Sequence, residues 1–181
     1  MEKSPYYLDQ DQMDWVLETL KAMDTEQKIR QMFCTIAYTD NEDYLKGIAD
    51  GQFGGLMCRT MKKEELIHLA AYLQSHVKIP YFIAGNMEAG MNQCCDTGTR
   101  VGCQMAIAAT GNVENASKLG QVVGSEASAL GMNWAFAPVI DIDMNWRNPI
   151  TNTRTYGSDP ETVASMGAAY VTEVQKHGIA A

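Results

Sequence analysis

Short apolar runs recur along this chain with amphipathic stretches between them, and that alternation leaves few architectures open. The runs cover residues 32–37, 54–58, 81–84 (entered through Pro80) and 134–137 (stopped by Pro138). Runs this short, without strict polar alternation, predict strands buried on both faces of a parallel sheet. Leu66, Leu69, Ala70, Leu73 and Val77 recur at helical spacing and predict a helix over 62–77. Val113, Ala116, Leu119, Val123, Ala127 and Leu130 predict another, with Gly131 as its stop. Ser158-Asp159-Pro160 opens a last helix, whose buried face is Val163, Met166, Tyr170 and Val174 and whose end is Gly178. Residues 11–22 and 24–32 predict two helices ahead of the first strand, with Asp24 and Gln27 in capping positions.

Strand and helix in alternation mean an α/β protein with right-handed crossovers. A doubly wound open sheet and a (β/α)8 barrel both satisfy the pattern. After the last helix, Gly178-Ile179-Ala180-Ala181 reads as the opening of a fifth strand. A barrel needs eight strands and typically ~250 residues. On the barrel reading, 181 residues hold a partial (β/α)8 TIM-type barrel: about four β/α units and the start of a fifth strand. Residues 1–24 form a helical lead-in, and 25–181 the barrel portion.

Composition narrows the partners. A formal net charge of -8 repels phosphate backbones and anionic lipid, so neither nucleic acid nor a membrane surface is expected. No run approaches the ~18 apolar residues of a membrane span, and residues 1–12 contain no apolar core of a signal peptide. Cysteines at 34, 58, 94, 95 and 103 make an odd number, which reads as reduced thiols and a cytoplasmic location. Adjacent Cys94-Cys95 lacks the spaced pairs that zinc requires, and His68, His76 and His177 fall within helical patterns. No metal and no cofactor are expected.

In parallel α/β folds, ligand chemistry gathers at the carboxyl ends of the strands. There the first run is followed by Thr39 and Asp40, the second by Arg59, and the third by Gly85-Asn86-Met87-Glu88-Ala89-Gly90. The fourth leads through Asp141, Asp143, Asn145, Trp146, Arg147 and Asn148 into Arg154-Thr155-Tyr156-Gly157. Carboxylates, amides, arginines and aromatics together suit a neutral polyol such as a sugar. Each also has a structural role open to it: Glu88 can pair with a cation, Asp141 can cap a loop or hold Arg147 or Arg154, and Arg154 can lie on the surface. Trp134 is expected in the core, Trp146 packed under its loop, and the methionines as core filler on the helices. Phosphate motifs fail: Gly85 and Gly90 are followed by Met91-Asn92 instead of Lys-Ser/Thr, the stretch lacks G-x-G-x-x-G, and no G-x-S-x-G elbow exists.

Several segments in order resemble family 3 glycoside hydrolases. They are Lys28-Ile29-Arg30-Gln31-Met32-Phe33, Gly54-Gly55-Leu56-Met57, Ile79-Pro80-Tyr81-Phe82-Ile83-Ala84, Asn86-Met87-Glu88-Ala89-Gly90 and Glu126-Ala127-x-x-Leu130-Gly131-Met132-Asn133. The fit is strongest at Phe136-Ala137-Pro138-Val139-Ile140-Asp141-Ile142, Arg147-Asn148-Pro149-Ile150 and Arg154-Thr155-Tyr156-Gly157-Ser158-Asp159-Pro160. The resemblance implies retaining hydrolysis of terminal β-linked sugars, β-N-acetylhexosaminides first and β-glucosides next. It implies substrate-binding roles for Asn86 and Arg154; Glu88 and Asp141 join them as substrate-binding candidates from their place after the third and fourth runs. In the family a Lys-His pair after the fifth strand, an acid/base on a later loop and an aspartate nucleophile on a later strand complete the site. All would lie after Ala181, so no catalytic residue is assigned within this chain. Position 86 is Asn where the family usually has Asp, and Met91 to Cys95 lacks an arginine common in the hexosaminidases.

Half a barrel exposes strand edges and its inner face. The resemblance therefore implies, besides a small carbohydrate, either the missing C-terminal half of the barrel or a second copy of this chain as partner. The alternatives are a non-enzymatic, self-associating sugar-binding module and an open-sheet protein with an unrelated ligand.

Overall fold

The strands β1 (Cys34–Ala37), β2 (Gly55–Cys58), β3 (Phe82–Gly85) and β4 (Trp134–Ala135) lie side by side in chain order, each pair parallel. This arrangement comes from a computed structural model, which describes residues 1, 3 and 6–181. Two helices precede the sheet, α1 (Gln10–Ala22) and α2 (Thr25–Arg30). Then α3 (Glu42–Gly51) and α4 (Lys63–His76) follow β1 and β2; α5 (Gln104–Ala108) and α6 (Glu114–Ala129) follow β3; α7 (Pro160–Lys176) follows β4.

The order continues past β4. The Ala135 N–H donates to the Ala180 carbonyl at 2.7 Å, and the Ala180 N–H donates to the Asn133 carbonyl at 2.9 Å. Residue 180 thus opens a fifth parallel strand beside the fourth. A doubly wound sheet reverses its strand order at a switch point. Five neighbours in unbroken sequence are instead a partial TIM-type barrel.

Local chemistry sets the helix ends. Asp24 accepts from the Gln27 N–H while the Gln27 side chain accepts from the Asp24 N–H, and Asp9 and Gln12 repeat the device ahead of α1. Asp159 caps α7, with Pro160 in its first turn. Gly131 and Gly178, both with positive φ, end α6 and α7. The first strand begins later than its apolar run, because the Met32 and Phe33 N–H groups bond back to Ile29 and Arg30 and close α2. Neither α3 nor α5 was predicted. Gly47 and Gly51 dilute the pattern of α3, whose buried residues are Leu45, Ile48 and Ala49. The short α5 gives periodicity too few turns to register.

On the helix side of the sheet, Leu56 and Ile83 join Leu66, Leu69 and Leu73 of α4 and Leu119, Val123 and Tyr170 in one core. The last two helices approach closely at two glycines. A Cβ at Gly120 would stand 2.6 Å from the Tyr170 carbonyl oxygen, and one at Gly124 2.5 Å from the His177 ring.

Large side chains turned from that core are only partly covered, although the small Ala84 on that face is buried, against the expectation of strands covered on both faces. Phe82 is 52% exposed and Ile36 38%, and the half-buried Trp134 meets Phe82 and Phe136 edge-on at 5.6 and 4.6 Å. A barrel's inner face is buried by strands across the axis, and an arc of neighbouring strands places nothing opposite itself. Nor is methionine mainly helix filler. Met61, Met87 and Met132 are buried on loops and Met91 in a single 3-10 turn, while Met32 and Met144 are exposed.

Candidate functional site

Where β3 ends, the backbone tightens twice. The Met87 N–H bonds to the Gly85 carbonyl at 3.1 Å, and the Glu88 N–H to the Asn86 carbonyl at 2.6 Å. The turn leaves Asn86 half-buried and sends Glu88 inward, where it is 7% exposed. The Ala89 N–H then donates to the Gln93 side chain at 2.8 Å, fixing the loop's far side.

Arg154 arrives from the loop between β4 and α7. Its Nε donates to Glu88 Oε2 at 2.9 Å and its Nη2 to Oε1 at 2.7 Å, a bidentate pair across 66 residues of chain. Its Nη1 also donates to the Ile150 carbonyl at 3.2 Å. The bond to Glu88 raises the Arg154 pKa, with a smaller contribution from the field of Asp141. Behind Arg154, the Thr155 hydroxyl accepts from the Gly157 N–H at 2.8 Å and fixes the turn.

The expected residues are therefore only partly assembled. Glu88 and Arg154 meet directly. Asn86 lines a cleft of about 350 Å³ with Met57, Cys58, Arg59, Thr60, Asn92 and Gln93. Asp141 is exposed and, among the described residues, makes no hydrogen bond or ion pair with Arg147 or Arg154. It neither caps its loop nor holds an arginine. Trp146, expected beneath the loop, is 74% exposed and touched by the Arg147 guanidinium at 4.9 Å. The loop is braced instead by backbone and Asn side-chain bonds, which leave its large side chains outside.

Sequence reasoning missed the amides that hold the strand ends. Gln104, 1% exposed, donates to the Val139 carbonyl and accepts from its N–H, both at 2.8 Å. Gln74 does the same for Tyr81. Asn133 accepts from the Ile83 N–H at 2.7 Å and donates to the Tyr81 carbonyl at 3.1 Å. Each satisfies backbone groups that no neighbouring strand reaches. A lone glutamine within Cys103-Gln104-Met105-Ala106-Ile107 was the available signal for the first.

Chemically, the pair offers a neutralised carboxylate whose remaining lone pairs can accept from hydroxyls, beside amide groups that donate and accept. A carboxylate clamped by a guanidinium is a weak nucleophile. The nearby thiols are no better: burial pushes Cys58 and Cys94 up to about 12, with the Asn86 N–H partly offsetting the effect at Cys94.

Comparison with known proteins agrees with the fold. The β-N-acetylglucosaminidase/β-glucosidase of Cellulomonas fimi is 46% identical over 179 residues, 98% of this chain and 32% of the relative. The structure of β-glucoside phosphorylase BglX bound to 2FGlc superposes with a TM-score of 0.92 at 40% identity, over 98% of this chain and 33% of that one. A family 3 β-N-acetylglucosaminidase from Paenibacillus sp. str. FPU-7 superposes with a TM-score of 0.80 at 30% identity, over 87% and 32%. The chain thus spans about a third of the length of each. A model of the glycosyl hydrolase family 3 N terminal domain matches residues 24–181, and the chain belongs to that family.

Proposed function

We propose that this chain is the sugar-recognising portion of a retaining glycoside hydrolase acting on terminal β-N-acetylhexosaminides and, next, β-glucosides. The observation that carries the reading is the Glu88–Arg154 pair beside Asn86, at the carboxyl ends of the strands. In this reading Asn86, Glu88 and Arg154 bind the hydroxyls of the terminal sugar, and Asp141 joins them from its exposed loop. The two sugar classes follow the names of the Cellulomonas and Paenibacillus relatives. Retention needs a nucleophile and an acid/base flanking the scissile bond, and, as the family resemblance implies, this reading assigns both outside these 181 residues. The rest of the barrel covers the open face of the sheet.

Nitrophenyl β-N-acetylglucosaminide and β-glucoside assays test this on the chain and on a version as long as its relatives. The expected result is no turnover by the former, turnover by the latter, and its loss on Arg154→Ala. Inactivity of the longer version on every β-glycoside overturns the reading.

A second reading differs in the acceptor. One relative is a phosphorylase by name, and the guanidinium of Arg59, in the cleft with Asn86, has no hydrogen-bond or ion-pair partner among the described residues. Hydrogen phosphate would then replace water. The aglycone oxygen leaves C1 and takes a proton, a phosphate oxygen bonds to C1, and the products are a sugar 1-phosphate and an alcohol. Sugar 1-phosphate formed by the longer version in phosphate buffer, in place of free sugar, distinguishes this reading from hydrolysis.

A further inference from the structure

We propose that Cys94 is a positioning residue for the sugar site: its thiol accepts the Asn86 backbone N–H and thereby sets where the Asn86 side chain lies. The role rests on the sugar-binding reading of Asn86.

The first support is a gap in the strand ladder. Just past the end of β2, the Arg59 N–H donates to the Ala37 carbonyl of β1 at 3.1 Å. Just past β4, the Phe136 N–H donates to the Gly85 carbonyl of β3 at 2.9 Å. Asn86 holds the same position past β3. With Met57 opposite Ala84, the parallel register would send its N–H to the Cys58 carbonyl. That bond is not made, and among the described residues this N–H has no oxygen acceptor. Its partner is the Cys94 sulfur.

The second is close approach. Cys94 is fully buried, and its sulfur lies so near the strand end that a Cβ at Gly85 would collide with it. That same Cβ would stand 2.8 Å from the Met132 methyl, so glycine is what lets the sulfur reach the backbone here. Cys94 is also fixed without help from Asn86. Its N–H donates to the Met91 carbonyl at 2.9 Å, and its carbonyl accepts from the Met61 N–H at 3.2 Å.

The third is the kind of acceptor. Burial pushes the Cys94 thiol up to about 12, so around neutral pH its sulfur is an uncharged, weak acceptor. The longer C–S bond carries it further than a serine hydroxyl would reach. The chain can then leave β2 at Asn86 and turn at once, with the Glu88 N–H on the Asn86 carbonyl at 2.6 Å. Cys94 thus holds Asn86 as Arg154 holds Glu88.

The test is amide hydrogen exchange, followed by nitrogen-15 NMR of the full 181-residue chain, with N-acetylglucosamine and glucose titrated separately. In the unsubstituted chain the Asn86 amide is expected to exchange slowly. Cys94→Ala should speed that exchange and weaken monosaccharide binding, each by at least about fivefold, as loss of one hydrogen bond does. Cys94→Ser, which restores a shorter acceptor, should recover part of both. Cys95→Ala removes the neighbouring buried sulfur, which faces Asp96 and Thr97; it should lower stability and leave both readouts unchanged. An Asn86 amide that exchanges freely in the unsubstituted chain overturns the proposal without any substitution. So does an Asn86 amide unchanged by Cys94→Ala, no recovery in Cys94→Ser, or an equal effect of Cys95→Ala. A freed Asn86 amide with unchanged sugar affinity reduces the bond to packing and overturns the positioning role. Absence of monosaccharide binding by the unsubstituted chain, with its Asn86 amide protected through Cys94, overturns the sugar reading and leaves the bond standing.

Discussion

The phenol of Tyr170 donates a hydrogen bond to the Met87 carbonyl at 2.8 Å, joining the last helix to the loop between Asn86 and Glu88. Tyr170 is fully buried, and burial raises its pKa strongly, so the phenol stays a donor throughout the useful pH range. The middle of the site loop is thus held from the core while Glu88 is held by Arg154.

Tyr170→Phe removes that donor and leaves a buried carbonyl unpaired. It should lower unfolding stability by about 1–3 kcal/mol and weaken monosaccharide binding by loosening Asn86. Urea unfolding and a sugar titration measure both. Unchanged sugar affinity at reduced stability would restrict the bond to packing.

Glu88→Gln and Arg154→Met should not be additive. Glu88 is buried and Arg154 about half exposed, so losing the arginine strands an inward carboxylate at a cost of about 1–3 kcal/mol, discounted for solvent at the outer partner. The double variant should lose less than the two single losses together. A double-mutant cycle in urea yields the coupling; a value near zero would mean the pair contributes geometry without energy.

Gln104→Leu conserves most of the volume but deprives both Val139 backbone groups of partners. A loss of about 1–3 kcal/mol is expected, together with faster amide exchange at Val139 and Ile140. Gln104→Glu keeps the acceptor and loses the donor, so its N–H at Val139 should remain protected. Protection unchanged in Gln104→Leu would contradict the role given to this amide.

Buried thiols make stability fall in alkali. Cys58 and Cys94 are pushed from 9.0 up to about 12 by burial. Their contribution is complete below the unfolded value and declines as pH rises from about 9 toward 12, because the unfolded chain ionises first. Native iodoacetamide labelling at neutral pH should reach exposed Cys34 and spare Cys58 and Cys94. Labelling of all three at one rate, or flat stability above pH 9, would refute that environment.

How much was legible follows from the range of each force. Capping at Asp24 and Gln27 acts over three residues, and the stripes of α4, α6 and α7 over single turns, so these elements are readable locally. The opening of a strand at Ala180 and the placing of Asn86 and Glu88 at a strand end follow from element order and the behaviour of parallel sheets. The stripe of α3 is weakened by Gly47, and its existence depends on burial of Leu45 and Ile48 against the rest of the fold.

The pairing of Glu88 with Arg154, the exposure of Trp146 and the isolation of Asp141 depend instead on loop paths joining distant residues. Periodicity carries no information about such paths. Nor does an apolar run disclose whether both sides of its strand are covered: Leu56 and Phe82 look alike in sequence, yet one is buried against helices and the other half exposed. The sequence alone determined the elements, their order and the strand ends where polar groups collect, because propensity, capping and periodicity act between near neighbours. Only the tertiary structure decided which of those groups meet and which sheet face stays open, because both depend on contacts that close long stretches of chain.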